Sequence, residues 1–146
     1  SIVDCSSERP ALLRPGLLSA DALAQAMGHS LAGPSAHAPK VSGSLESHYA
    51  PQARVQLLSA AQLAQQWAAL SADQRAATAV YARHASTLPA VRVAHNMGTD
   101  AQACAHELFA VLRALDQAEV SHIWVERPPV GPEWAGVSDR LQRAAA

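Results

Sequence analysis

An α/β fold with a largely parallel β-sheet is the fold class that the sequence predicts for its larger part, residues 54–146. Two observations support this prediction. Short apolar runs with β-branched residues, which are typical of strands, alternate with segments in which apolar residues recur every three or four positions, the period of a helix. The strand runs are also apolar enough to be covered on both faces, which indicates a sheet between two layers of helices.

The segments follow one another as strand, helix, strand, strand, helix, strand and helix. Ser59 is expected to cap the first helix, which runs to about Leu70, and Thr99 or Asp100 is expected to cap the longest helix, at 101–117. A further helix closes the chain. The predicted strands are RVQLL (54–58), ATAVYAR (77–83), AVRVAHN (90–96) and HIWVE (122–126).

The first block, residues 1–28, predicts a strand, a turn, a second strand and a short helix. SIVDC and ALLRPG are the apolar runs, and Pro-Gly ends the second one. Ser19 is a typical N-cap, and Gly28 is a typical helix stop. The block is too small to have a core of its own. Because the chain also opens inside a strand without an initiator Met, we expect this block to be the end of a larger domain.

Residues 29–53 have the composition of a linker, rich in Ser, Gly, Pro and Ala and without a sustained period. Within them, the stretch SGSLESHYAPQ places His48 beside Tyr49, and Pro51 stiffens the chain just after the pair. A histidine that carries charge near neutral pH and a tyrosine ring with a hydroxyl suit a nucleotide or a polyphosphate. Two linker side chains in solvent are the alternative that composition leaves open.

Composition and charge argue against several classes of protein. The formal net charge of −1 is not that of a protein that binds nucleic acid through an excess of positive charge. The sequence has no run of about 18 apolar residues, so we expect no membrane span, and its first residues do not have the pattern of a signal peptide. Cys5 and Cys104 lie far apart, so reduced thiols in the cytoplasm are expected rather than a disulfide framework.

Few residues of the second block predict chemistry. NMGTD (96–100) follows a strand and precedes a helix, where α/β folds bind ligands, but a tight strand-to-helix turn is the simpler interpretation. The seven histidines lack the spacing of metal ligands, so no metal site is predicted. No nucleophile–base pair is recognisable, and we predict no catalytic residue. Four carboxylates are expected to be solvated charges in loops and at the rim: Asp116, Glu119, Glu126 and Glu133.

Arg14 is the candidate binding residue of the first block. It lies between the apolar pair Leu12-Leu13 and the turn Pro15-Gly16. A guanidinium held at the end of a strand by a rigid turn suits the bidentate recognition of a phosphate or a carboxylate. A surface arginine is the equal alternative on chemistry alone.

Three stretches, taken in order, resemble the threonylcarbamoyl-AMP synthase family. SIVDC…LLRPG resembles the end of its YrdC-like catalytic domain, and SGSLESHYAPQA resembles its interdomain segment with the motif His-Tyr-Ala-Pro. The stretch from AHELFAVLRALDQAEVSHIWVERPP onwards resembles the accessory C-terminal domain of the longer members. The resemblance implies three parts: a remnant of the YrdC-like α/β domain (1–28), the interdomain linker (29–53) and a small, three-layer, Rossmann-like accessory domain (54–146).

The resemblance also implies a function. Members of the family make L-threonylcarbamoyladenylate from threonine, bicarbonate and ATP and release pyrophosphate. The product is used to form threonylcarbamoyladenosine at position 37 of tRNAs in the cytoplasm. Expected partners are therefore the chain's own upstream catalytic domain, the three substrates, Mg²⁺ accompanying ATP and, indirectly, the tRNA-modification machinery, but no membrane. The part of the enzyme seen here is expected to be inactive alone and to bind no cofactor by itself.

Four residues of this chain match the family's substrate site. Ser1 matches a hydroxyl residue of the strand that borders the threonine and nucleotide pocket. Arg14 matches an arginine that contacts ATP. His48 and Tyr49 match the interdomain segment that folds over the pocket, so the resemblance implies that this segment is a lid.

Two departures from the family have consequences. Where the family often has a tyrosine and an arginine before the His-Tyr pair, this chain has Glu46 and Ser47, and a carboxylate does not favour a phosphate. The first block keeps only part of a catalytic domain, so we expect its strands to be disordered, to pack elsewhere or to associate with another copy through exposed edges. A non-enzymatic α/β module that binds a ligand or a protein is the alternative to an enzyme part.

Overall fold

The computed structural model of the protein describes residues 1–16, 18–33, 38–39, 41 and 51–146. Its N-terminal unit consists of an antiparallel strand pair and one helix: β1 (Ile2–Asp4), β2 (Ala11–Arg14) and α1 (Ala20–Met27). Ser19 caps α1, because its Oγ accepts a hydrogen bond from the N–H of Ala22 at 3.1 Å. The chain then returns to β2, where the N–H of Leu12 donates to the carbonyl of Ala32 at 3.0 Å.

The C-terminal unit contains a four-stranded sheet in which all the pairings are parallel. This confirms the predicted α/β fold with a mainly parallel sheet. Numbered along the chain, the four strands lie side by side in the order first, fourth, second, third. Two of the connections therefore pass over a strand that lies between their two ends. The elements are β3 (Arg54–Leu58), α2 (Ala60–Ala69), α3 (Ala72–Ala76), β4 (Thr78–Ala82), β5 (Val93–Asn96), α4 (Ala101–Asp116), β6 (His122–Glu126) and α5 (Ala135–Ala144).

The central strand β4 is buried along its whole length. Alternation along the strand sends Ala79 and Tyr81 into the core beneath α4 and α5, and Val80 and Ala82 into a second core beneath α2. Burial on both faces was predicted from the apolar strands, and three layers follow from it. The first core holds the fully buried leucines of α4 and α5, and the second holds Trp67 and Trp124 with their rings edge to face.

Local signals in the sequence set most of the element boundaries. Ser59 makes a capping box with Gln62 at the start of α2, as predicted for its cap, and Asp100 caps α4. The short helix α3, which the pattern of apolar residues did not predict, begins at a second capping box. Strand β5 begins at Val93 and is shorter than the predicted run 90–96, and Ala90, with a φ of 55°, lies outside the conformation of a strand.

One predicted rim charge, Glu126, is instead buried at the carboxyl end of the sheet. Its side chain is 5% exposed, and its carboxylate accepts hydrogen bonds from the guanidinium of Arg83 and, at 2.8 Å, from the backbone N–H of Arg83. The prediction of a solvated carboxylate was wrong, because Glu126 still belongs to β6 and faces β4. The pair joins the carboxyl ends of β4 and β6, which are hydrogen-bonded neighbours in the sheet.

We predict that Arg83→Met lowers the free energy of unfolding by about 2 kcal/mol. Glu126 would then be left buried without its ionic partner, but the loss should stay below that of a fully buried pair because the side chain of Arg83 is 32% exposed. The measurement is urea unfolding followed by circular dichroism. Arg92→Met, at an exposed position, is the matched control, and equal losses in the two variants would contradict the prediction.

Candidate functional site

The structure brings together two of the four predicted site residues, Ser1 and Arg14. The register of β1 against β2 places Ile2 opposite Arg14, so Ser1 lies at the end of β2 where the turn Pro15-Gly16 begins. The hydroxyl of Ser1 donates to the carbonyl of Leu18 at 3.0 Å. This contact ties the first residue to the chain that follows the turn, so Ser1 and Arg14 lie at the same end of the hairpin.

The turn after Arg14 also contacts the C-terminal unit. Gly16 and Gly136 are both buried, and a Cβ atom added to Gly136 would lie 2.8 Å from the carbonyl oxygen of Gly16. Real Cβ atoms do not approach other atoms so closely, so the backbone of α5 touches the backbone of the turn. Of the three fates expected for the first block, packing elsewhere is the one that the structure shows. Self-association through a strand edge stays a prediction.

Arg140, on the next turn of α5, is a second cation near Ser1. Its guanidinium donates to the carbonyl of Ala105 at 3.1 Å and lies over the ring of Phe109, 5.9 Å from the ring centre. The positive charges of Arg14 and Arg140 both reach the backbone nitrogen of Ser1. Two guanidinium groups therefore act on the same spot, and such a spot suits an anion.

Sequence reasoning missed Arg140. One signal was present: Gly136 and Arg140 are four residues apart in the predicted closing helix, so they share a face. A glycine inside a helix often marks a close approach of another backbone. The sequence does not say which segment approaches, however, so the arginine could not be assigned to the site from the pattern alone.

His48 and Tyr49, the other two predicted site residues, lie outside the described residues. The chain just after them is held by Asp116, the last residue of α4. The two carboxylate oxygens of Asp116 accept hydrogen bonds from the backbone N–H groups of Gln52, at 3.1 Å, and Ala53, at 2.8 Å. The prediction of a solvated rim charge was therefore wrong for Asp116, because this carboxylate anchors the end of the linker. Glu119 and Glu133 are exposed, as predicted.

The turn NMGTD (96–100) has the simpler of its two predicted roles, since its polar groups are used within the chain. The side chain of Asn96 bonds to Ser86, donating to its Oγ at 2.9 Å and accepting from its N–H at 3.0 Å. The carboxylate of Asp100 accepts from the N–H of Ala103 at 2.6 Å and so caps α4. The carbonyl of Gly98 accepts from the thiol of Cys104. These bonds describe a structural turn.

A cluster of four titratable side chains lies behind this turn. The hydroxyl of Tyr81 donates to the carboxylate of Glu107 at 3.2 Å, and the same carboxylate lies 3.7 Å from Nε2 of His95. Burial, with the nearby Cys104 and Glu107, raises the pKa of Tyr81. Burial and then the charge of Glu107 raise the pKa of the Cys104 thiol. A raised thiol pKa keeps the sulfur protonated and weakly nucleophilic, so the cluster does not form an activated nucleophile.

Within the described ranges, no group of three or more His, Cys, Asp or Glu side chains could hold a metal ion. In the same part of the chain, no helix is both long enough and apolar enough to cross a membrane.

Comparison with protein families identifies one match. Residues 18–146 match the family described as threonylcarbamoyl-AMP synthase, C-terminal domain. No curated protein matches the chain significantly.

Two solved structures share the fold. The crystal structure of P. abyssi Sua5 complexed with L-threonine is 22% identical, with a TM-score of 0.75 over 99% of this chain and 45% of that one. A variant of P. abyssi Sua5 with alanine in place of a histidine and of the tyrosine next to it is 20% identical, with a TM-score of 0.75 over 99% of this chain and 44% of that one. The chain thus spans less than half the length of these structures.

We predict that the two cysteines differ sharply in reactivity. Cys5 is exposed and Cys104 is buried with a raised pKa, so a thiol reagent at pH 8 should label Cys5 within seconds to minutes and Cys104 only after unfolding in guanidinium. Mass spectrometry of digested protein distinguishes the two sites. Rapid labelling of both cysteines in the folded protein would contradict the described burial.

A second prediction concerns Asp116. Asp116→Ala should increase the hydrogen exchange of the amides of Gln52 and Ala53 at least about tenfold and lower the free energy of unfolding by about 1–2 kcal/mol, because two N–H groups lose a charged acceptor. Asp116→Asn keeps one acceptor oxygen, so its exchange rates and its free energy of unfolding should lie between those of the unsubstituted protein and those of Asp116→Ala. Amides of β6 provide the internal reference, and unchanged exchange at Gln52 and Ala53 would show that the anchor is not important.

Proposed function

Because the chain belongs to the threonylcarbamoyl-AMP synthase family, whose C-terminal domain its residues 18–146 match, we propose that it is part of an enzyme that makes threonylcarbamoyl-AMP. The intact enzyme would convert threonine, bicarbonate and ATP into threonylcarbamoyl-AMP and pyrophosphate. The product would supply threonylcarbamoyladenosine formation at position 37 of tRNAs, in the cytoplasm. This part of the enzyme would be inactive without the catalytic domain ahead of it.

The placement of Ser1 beside Arg14 is the observation that supports this proposal most. The two residues are far apart in the sequence, and each matches the family's substrate site separately. The pairing of β1 with β2 brings them together beside a second arginine, Arg140. A phosphate group carries the charge and the oxygen geometry that an arginine fork binds best. In the proposed enzyme, Arg14 would bind ATP through its phosphates, and Ser1 would border the pocket for threonine and nucleotide.

His48 and Tyr49 would close over the nucleotide as parts of a lid. The variant of P. abyssi Sua5 noted above has a histidine and its neighbouring tyrosine replaced together, and this chain contains one such pair. The anchor at Asp116 gives the proposed lid a fixed end, since only Ala50 and Pro51 separate Tyr49 from the residues that Asp116 holds. A segment with a fixed end loses less entropy when it closes.

Mg²⁺ would enter the reaction with ATP. The described residues offer no carboxylate cluster that could hold it, so we propose none of them as a ligand of the ion. A divalent cation of this kind is commonly bound largely through substrate phosphates and water. The contribution of this chain to nucleotide binding would then come from Arg14 and the lid.

A binding module without catalytic activity is the second candidate function. It is favoured by the burial of Cys104 and Tyr81 and by the raised pKa of each, since neither change activates a nucleophile. An open cleft between Arg127 and Gln142 of α5 would be the place for its ligand. Calorimetry of this chain with ATP, AMP and tRNA distinguishes the candidates, because tight binding by the chain alone favours a module.

We predict that Arg14→Ala in the intact enzyme raises the KM for ATP at least about tenfold, since a charge-assisted hydrogen bond is worth roughly 1.5–3 kcal/mol. His48→Ala and Tyr49→Ala should each slow turnover. The assay is threonine-dependent release of pyrophosphate from ATP, and Arg9→Ala, at an exposed arginine of the same hairpin, is the control. No such release by the folded intact enzyme would overturn the proposed function, and an unchanged KM for ATP in Arg14→Ala would overturn the role proposed for Arg14.

A further inference from the structure

The turn that carries Arg14 is enclosed between two backbones. On one side, a Cβ atom added to Gly136 would lie 2.8, 2.9 and 3.0 Å from the O, C and Cα atoms of Gly16. On the other side, a Cβ atom added to Gly16 would overlap the backbone of Ser1. All these neighbours are backbone atoms, which cannot move aside as a flexible side chain can. The position of the turn is therefore fixed by α5 and by Ser1 together.

The face of α5 that touches the turn also carries a charge. Residues four positions apart lie on one face of a helix, so Arg140 is one turn beyond Gly136 on α5. The contacts of Arg140 with Ala105 and Phe109 of α4 hold its guanidinium in place. Its charge, like that of Arg14, is felt at Ser1. One helix of the C-terminal unit thus contributes both a contact and a cation at the predicted substrate residues.

We propose that α5 completes the nucleotide site: Gly136 positions the turn that carries Arg14, and Arg140 adds a second positive charge beside Ser1. The inference rests on the proposed function, because it assumes that Arg14 binds ATP. It gives the accessory domain a defined task, which is to set the affinity for the triphosphate rather than to react. Gly136 is a positioning residue that acts through Gly16.

The substitution Gly136→Ala tests this role, because a helix face that is open and a helix face that touches the turn predict changes of opposite sign in the free energy of unfolding. In a helix with an open face, replacing glycine by alanine stabilises the protein by up to about 1 kcal/mol. If α5 must touch the turn, the added Cβ instead pushes the two backbones apart. The helix would remain formed while Arg14 moves away from its position.

The experiment measures KM and kcat for ATP in the intact enzyme. Gly136→Ala should raise the KM for ATP at least about fivefold and change kcat less than about twofold. Gln65→Ala, at an exposed position of α2 on the opposite face of the sheet, is the control and should change neither. Hydrogen exchange should show loss of protection at Leu12 and Leu13 and unchanged protection in β6, because the disturbance is confined to the contact.

Arg140→Gln decides the question if Gly136→Ala does not fold, because it removes a charge without adding an atom to the contact. It should raise the KM for ATP at least about threefold with kcat retained. If Arg14→Ala weakens ATP binding while Arg140→Gln and any folded Gly136→Ala variant behave like the control, the inference is wrong and the proposed function stands. If Arg14→Ala has no effect either, Arg14 does not bind ATP and the inference is wrong with it, whereas the proposed function is overturned only if the intact enzyme shows no threonine-dependent release of pyrophosphate.

Discussion

The burial of β4 on both faces is the constraint on which the rest of the structure depends. All five of its residues are buried between parallel neighbours, so the connections must cross the faces of the sheet and helices must cover both. α5 is one of these covering helices, and its own residues Val137 and Leu141 are fully buried in the core. Because one face of α5 is committed to this core, the direction of its other face is fixed, and that face meets the turn after β2.

Small residues decide how closely the two units approach. Aromatic residues make up only 4% of the chain, so bulky side chains are few and are placed where they anchor elements. Trp134 is one of them: it is buried at the start of α5 and fixes that end of the helix against the core. Gly136 follows two residues later, where a side chain of any size would separate the backbones of α5 and the turn. The buried tryptophan fixes the end of the helix in the packed core, and the nearby glycine lets the two backbones come into contact.

The sequence predicts what is local and fails where contacts join distant residues. Ser19, Ser59 and Asp100 are caps that hydrogen-bond within three residues of themselves, so their patterns sufficed. Asp116 bonds to residues that precede it by more than 60 positions, and no local pattern distinguishes it from a solvated carboxylate. Arg140 was missed for the same reason. Ser1 and Arg14 were found by resemblance, and only the strand register shows that they are neighbours. The domain boundaries drawn from the sequence stay predictions.

A net charge near zero does not prevent this chain from bringing two positive charges together at one place. The total of −1 is an average over the chain, whereas anion binding depends on the charges within a few ångströms, where screening by salt is weak. Arg14 comes from the N-terminal unit and Arg140 from the C-terminal unit, so their combined field exists only while the two units are in contact. Moving the units apart would weaken that field without changing either arginine. The contact between Gly16 and Gly136 therefore has an electrostatic consequence, since it keeps these two positive charges near each other.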